Sequence, residues 1–286
     1  MSIRDIPKKL LVINDIAGIG RCSMSVALPV ISACQVQACP FPTAIFSNHL
    51  GFPTHYKRDL TQDMIPYMEH LSLLDIEFNG VYCGYLGDVK QMDFIRSFLK
   101  KKQETSHLQV VLDPVMGDHG QRYRSMSAEF CEHMKVFIQV ASIITPNITE
   151  ACLLTNTTYK ESGWSQRELQ ALGAQLQSLG PKQIVITGMK DHTYFYNYIY
   201  ESPTSNTMLE IPIAGPSRPG TGDLFASILS ALTLRGLSIQ DATVIASEFI
   251  ATCTEASKEL QIPIQEGVAF ELFLWNLHEK TREHSL

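Results

Sequence analysis

Residues 215–232 read GPSRPGTGDLFASILSAL, and the stretch changes character in the middle. Three glycines, two prolines and one acid, Asp223, run straight into an apolar stripe at helical spacing, Leu224, Ile228, Leu229 and Leu232. A helix is expected to open at Thr221 and Gly222, with free amides and the positive end of its dipole converging on one point. An acid at that point has two readings. Asp is a favoured helix cap, because its carboxylate accepts hydrogen bonds from free amides. It is also suited to taking a proton from a hydroxyl that attacks a phosphoryl group held on those amides.

Upstream of this stretch, short apolar runs alternate with longer amphipathic ones. KLLVIN (9–14), GVYCG (80–84), LQVVLD (108–113), SIITP (142–146) and QIVIT (183–187) read as buried strands. MSVALPVISAC (24–34), VKQMDFIRSFLKK (89–101), AEFCEHMKVFIQ (128–139), NITEACLLT (147–155) and SQRELQALGAQLQSL (165–179) show the spacing of helices packed on a sheet. Repeated βα units imply an α/β fold, a central and mainly parallel sheet with helices on both faces. TYFYNYIYE (193–201) and TMLEIPI (207–213) read as an antiparallel pair, either at an interface or at a covered sheet edge. With no repeat, low-complexity tract or linker, residues 1–286 are expected to form one domain.

Composition narrows the partners. Among 286 residues, 45% are hydrophobic and 18% charged, enough to bury a large core. The net charge of −6, from 29 acids and 23 bases, has no basic run longer than Lys100, Lys101 and Lys102, which argues against nucleic acid. The first fifteen residues, MSIRDIPKKLLVIND, lack the apolar run of a signal sequence, and no later stretch is long enough to span a membrane, so a cytoplasmic location is expected. Seven scattered cysteines, never spaced as CxxC, suggest buried thiols rather than disulfides or zinc.

In such sheets, ligands bind beyond the carboxyl ends of the strands. Polar and glycine residues stand there in strand after strand: Asn14, Asp15 and GIG; Tyr85; Asp113 with Asp118 in the loop PVMGDHG; Asn147 and Glu150; Gly188. Glu150 is either a first-turn or capping acid or a partner of Mg²⁺ and its water shell. GIGRCS (18–23) opens like a dinucleotide fingerprint but has Ser23 where the third glycine belongs, and no GxxxxGK[ST] occurs. Gly18 and Gly20 are open to a plainer reading, as relief for a tight strand-to-helix turn.

DPVMGD (113–118), TPNITEA (145–151), IVITG (184–188) and GTGDLFAS (220–227), with FSNH (46–49) and GYLG (84–87), carry a resemblance. The chain resembles the ribokinase-like vitamin kinases over nearly its whole length, and most closely the pyridoxal and pyridoxamine kinases. The resemblance implies a ribokinase-like three-layer sandwich and transfer of phosphate from ATP, with Mg²⁺ and a monovalent cation such as K⁺, to the 5′-hydroxyl of a vitamin B6 compound. It makes Asp223 the general base, and Gly220, Thr221 and Gly222 the anion hole for the transferred phosphoryl. Asp118 and Asn147 would contact the nucleotide phosphates, with Thr187 and Gly188 beside them. Glu150 would organise Mg²⁺, and Asp113, Thr145 and Thr187 would hold the monovalent cation.

On the acceptor side the resemblance places Thr43 and Tyr85 around the pyridine ring, and makes HGQRYRSM (119–126) a lid that brings Tyr123, Arg122 or Arg124 to the phosphates. His49 is expected to be an interior residue tying loops together. A homodimer is implied, with no nucleic-acid or membrane partner. One departure stands out: where the commonest pyridoxal kinases have a Ser-His pair, this chain has Asn14 and Asp15. The charge of Asp15 near ring position 4 would favour the aminomethyl group of pyridoxamine over the aldehyde of pyridoxal. The same first loop is similar to that of the hydroxymethylpyrimidine kinases, which is the alternative function, and a vitamin or nucleotide sensor without turnover is a second.

Overall fold

The computed structural model describes residues 6–74 and 76–283. The leader expectation for residues 1–15 and the one-domain expectation for 1–286 lie partly outside these described residues. The chain enters the sheet with β1 (Lys9–Ala17), crosses through α1 (Ser23–Ala33) and lays β2 (Gln37–Phe46) parallel beside it. A short antiparallel β3 (Lys57–Asp59) closes that edge. After α2 (Thr61–Ser72), β4 (Gly80–Cys83) returns on the other side of β1. Then come α3 (Val89–Thr105), β5 (Gln109–Leu112) and a separate hairpin of β6 (Gly117–Asp118) and β7 (Gln121–Arg122). The chain continues through α4 (Ala128–Phe137), β8 (Ile143–Ile144), α5 (Ile148–Thr155), α6 (Gln166–Ser178) and β9 (Gln183–Lys190). β10 (Tyr194–Ser202) and β11 (Ser205–Pro212) follow, and α7 (Thr221–Arg235), α8 (Ile239–Glu259) and α9 (Leu274–Glu283) end it.

The sheet order is β11-β10-β9-β8-β5-β4-β1-β2-β3, parallel from β9 to β2 and antiparallel at both edges. Successive strand residues point to opposite faces. Leu11, Ile13, Val81, Val110 and Leu112 meet α2 to α6 in one core, while Leu10, Val12, Tyr82 and Val111 meet α1, α7, α8 and α9 in another. That double burial is why these strands read as continuous apolar runs, and each fully buried aliphatic side chain contributes about 1.5–3 kcal/mol. The three-layer sandwich is as expected.

Several boundaries differ from the sequence reading. β1 continues past Asn14 and Asp15, with a register shift between Asn14 and Ile16, so these two residues lie in a bulged strand rather than after it. β2 escapes the sequence reading because it contains Pro40 and Pro42. Both lie in the part of the strand that pairs only with β1, since β3 joins at Ala44, and there a missing amide costs nothing. α2 escapes it too, with Pro66 inside. The aromatic β10 lies between β9 and β11 with Tyr198 and Tyr200 fully buried, so it is an inner strand and the edge is β11. All seven cysteines are free thiols, six of them buried.

Candidate active site

The α7 mouth is built by glycine. Gly220 caps the helix with φ 80°, and a Cβ there would lie 1.7 Å from the Arg21 carbonyl oxygen, so neither the conformation nor the space admits a side chain. Thr221 and Gly222 begin the helix as expected, and Asp223 is its third residue. The capping reading of Asp223 is corrected by this placement: the cap is Gly220, and α7 has no side-chain capping bond. The Asp223 carboxylate turns instead to the sheet. Its Oδ1 accepts from Asn14 Nδ2 at 3.1 Å and lies 3.5 Å from the Tyr82 hydroxyl, and the Ser23 backbone amide bonds the same carboxylate. Burial raises its pKa, and these three donors hold the rise in check. A carboxylate moved up in this way is a better proton acceptor near neutral pH.

Ser23 supplies its amide from a left-handed conformation, φ 55°. The residue that breaks the glycine fingerprint thus adopts the kind of backbone a glycine would, and such strain in a serine marks a constrained site. Gly20 has φ 93° and packs on His49, whose Nε2 lies 2.6 Å from the Gln265 carbonyl oxygen and whose Nδ1 accepts from the Gly51 amide. His49 does tie loops together, but it is half-buried rather than interior.

On one side of Asp223 opens a cavity of ≈ 400 Å³. Among its lining are Asp113, Asp118, Thr145, Asn147, Glu150, Thr187, Gly188 and the four residues Gly220 to Asp223, so the structure brings together every expected nucleotide and cation residue. Asp113 is half-buried, and its pKa is raised by desolvation and by the charge of Asp223. The Thr145 hydroxyl is buried without a hydrogen-bond partner. An orphaned hydroxyl beside a half-buried carboxylate is a donor set that a monovalent cation fits. Among the described residues no three His, Cys, Asp or Glu converge as a metal site of protein ligands alone. Asp118 and Glu150 stand in the cavity lining, carboxylates that fit a Mg²⁺ carried mainly by phosphates.

Asn147 and Glu150 have local duties. Asn147 Oδ1 accepts from the Glu150 amide while Glu150 Oε2 accepts from the Asn147 amide, the reciprocal box that starts α5. Glu150 Oε1 also accepts from the Met116 amide, and Asn147 Nδ2 donates to the Gly117 carbonyl. Burial, followed by the charge of Asp113, raises the Glu150 pKa. The capping reading of Glu150 is therefore correct, and the box also hangs the β6–β7 hairpin over the cavity. The stretch expected to act as a lid begins in that hairpin, with a turn at His119 and Gly120, φ 51° and 75°. Tyr123 lines the cavity; Arg122, which bonds the Cys131 thiol, and Arg124 do not.

The acceptor-side residues lie beyond Asp223 and do not line this cavity. Asn14 joins the two sides, because its Oδ1 accepts from the Tyr85 amide at 2.9 Å and the Asp15 amide at 3.0 Å while its Nδ2 reaches Asp223. Thr43 Oγ1 donates to the Tyr85 carbonyl, and Gln91 Nε2 donates to the Thr43 carbonyl. Asn14 and Thr43 are fully buried, with these bonds made to protein, so they set the position of Tyr85 and Asp15. The Tyr85 ring stands edge-on to Phe46 at 5.7 Å, with Lys57 Nζ 3.4 Å from its hydroxyl. Burial pushes the Asp15 carboxyl up to about 7, against a hydrogen bond from Ser23 that lowers it; the charges of Asp223 and Lys57 act in opposite senses. Tyr82, Lys57 and Arg218 escaped the sequence reading: Tyr82 looked like strand filling, and a lone Lys or Arg carries no local pattern.

The chain matches the Phosphomethylpyrimidine kinase family over residues 24–267. It is 33% identical over 153 residues to a pyridoxal kinase of Arabidopsis thaliana, covering 52% of this chain and 48% of that protein. The matched part thus spans about half the length of that relative. A solved structure from Bacteroides thetaiotaomicron, assigned as a phosphomethylpyrimidine kinase, superposes with a TM-score of 0.91 at 31% identity, covering 96% of this chain and 94% of that one. A second crystal form of that protein contains pyridoxal. The pyridoxal kinase of Lactobacillus plantarum superposes with a TM-score of 0.87 at 26% identity over 98% of this chain and 99% of that one. The fold is ribokinase-like.

Proposed function

The chain belongs to the phosphomethylpyrimidine kinase family, and from that premise we propose that it phosphorylates the 5′-hydroxyl of the B6 vitamers pyridoxal, pyridoxamine and pyridoxine from Mg-ATP. It is a kinase acting on an alcohol group, which sets aside the sensor without turnover. The observation that carries the vitamer reading is the place of Asp223, at the α7 mouth between the cavity and the residues tied through Asn14.

ATP lies with its phosphates in the cavity, and the vitamer lies against Tyr85 and Asp15 with its hydroxyl toward Asp223. Asp223 takes the hydroxyl proton as the oxygen attacks the γ-phosphorus. The Gly220, Thr221 and Gly222 backbone and the α7 dipole meet the negative charge of the phosphoryl in flight, a task for which no P-loop lysine is present. The phosphorylated vitamer and ADP are the products. Mg²⁺, when bound, neutralises phosphate oxygens, with Glu150 and Asp118 as the acids toward it. Asp113, Thr145 and Thr187 would hold a monovalent cation such as K⁺. The working unit in this reading is one kinase domain over residues 1–286, in a homodimer.

A second reading has support of its own. The family is named for pyrimidine kinases, and the loop 18–23 resembles the opening of the hydroxymethylpyrimidine kinases, whose substrate ring is of similar shape. Turnover of pyridoxal, pyridoxamine, pyridoxine and hydroxymethylpyrimidine, each offered with Mg-ATP and K⁺, separates the two. Phosphorylation of B6 compounds is expected; reaction of the pyrimidine alone would overturn the vitamer reading.

A further inference from the structure

Arg218 stands two residues before Gly220 and is only 5% exposed. Its guanidinium reaches four backbone carbonyls: Nη1 donates to Pro263 at 3.1 Å and Gly267 at 3.0 Å, and Nη2 to Ile262 at 2.9 Å and Ser257 at 3.4 Å. Nε is buried and has no partner. No carboxylate of the described residues lies within ion-pair distance. Carbonyls satisfy the Nη donors but leave Nε without a partner and the charge without a counter-ion, a costly arrangement for a buried cation. The residue also belongs to the wall of the cavity that ends at the α7 mouth.

The segment that Arg218 grips is held from two more sides. The Arg21 amide and Nη1 both donate to the Glu266 carbonyl, at 3.3 and 3.1 Å, and His49 pairs with the Gln265 carbonyl. Gly267, with φ 78°, packs so closely that a Cβ would lie 3.0 Å from the Arg21 carbonyl oxygen, the same atom that excludes a side chain at Gly220. Thr221 Oγ1 donates back to the Arg218 carbonyl at 3.1 Å. The first turn of α7 is thereby seated on residues 257–267 through Arg218 and Arg21.

We propose that Arg218 is the positioning residue of the α7 anion site, gripping residues 257–267 so that the Thr221 and Gly222 amides are aimed, with its own charge countered when the phosphoryl anion arrives. This rests on the reading of the α7 mouth as the phosphoryl site. A residue that only stabilised the fold would lower Tm without touching the reaction.

Arg218→Lys and Gly267→Ala attack the grip from its two ends, and Gly267→Ala keeps the guanidinium. Two readings decide: kcat and KM for the vitamer, taken well below Tm, and the extra rise in Tm when aluminium fluoride, a mimic of the phosphoryl in flight, is added to Mg-ADP. We expect kcat to fall about tenfold or more while the vitamer KM stays within about threefold, and the fluoride-dependent rise to shrink to less than half that of the wild type. A folded variant of either kind with wild-type kcat and a wild-type rise overturns the proposal, as does a kcat loss that only tracks the folded fraction. If Arg218→Lys does not fold, Gly267→Ala decides by the same readings. If the wild type turns over no B6 vitamer, the vitamer reading falls, and the fluoride-dependent rise still judges Arg218.

Discussion

Asn14 and Asp223 are 209 positions apart in the chain, and Asn14 Nδ2 donates to Asp223 Oδ1 at 3.1 Å. Because the same amide group accepts from Tyr85 and Asp15, one side chain sets the place of the base and of two residues on the acceptor side. Asn14→Ala would leave two buried amide donors without that acceptor, at about 1–3 kcal/mol each, so a fall in Tm is expected. It would also remove a donor that lowers the Asp223 pKa. The acid limb of kcat/KM against pH should then move to higher pH; an unmoved limb would show that Asp223 is not the titrating base.

Asp223→Asn tests the base directly. The change keeps the shape and removes a half-buried charge whose pKa desolvation has raised. Binding of Mg-ATP should be nearly unchanged and Tm unchanged or higher, while kcat drops by orders of magnitude. Calorimetric titration with nucleotide beside a turnover assay separates these outcomes, and near-normal turnover would reduce Asp223 to a structural acid.

Asp15 links pH to stability. Its carboxyl rises from 3.8 to about 7 in the fold, so the folded chain favours the protonated form. That stabilising contribution is complete below 3.8 and is lost as pH rises through 7. Tm of the ligand-free protein should therefore fall between about pH 4 and pH 7 and level off above, and Asp15→Asn should flatten part of the fall. Ionised Asp15 would favour the pyridoxamine ammonium by about 1–3 kcal/mol. The pyridoxamine-to-pyridoxal ratio of kcat/KM should rise with pH in the wild type and not in Asp15→Asn.

Thr145→Val replaces a buried, unpartnered hydroxyl with a methyl of the same shape. Removing an unsatisfied polar group should leave Tm unchanged or raise it. If that oxygen serves a monovalent cation, the K⁺ dependence of turnover should weaken even as stability holds. A K⁺ titration identical to that of the wild type would remove Thr145 from the cation site.

Much of this architecture is written locally. The runs KLLVIN, LQVVLD and QIVIT show buried strands because a strand covered on both faces must be apolar at every position, and GTGDLFAS shows a helix mouth because glycine punctuation and helical spacing meet there. β2 and α2 were hidden by Pro40, Pro42 and Pro66: the two strand prolines lie where the strand pairs only with β1, and α2 forms around Pro66 at the loss of one helical hydrogen bond.

By itself, then, the sequence determined the layered α/β fold, the strand ends where polar residues gather and the acid at the α7 mouth. All of these are short-range patterns with a period or a turn residue to mark them. Only the tertiary structure decided that Asp223 is no cap, that Ser23 takes a glycine-like backbone to reach it, that Asn14 bridges the two sides and that Arg218 seats the helix on residues 257–267. Those relations depend on how separate elements pack, which brings residues as far as 209 positions apart to one point and leaves no mark in the composition around either of them.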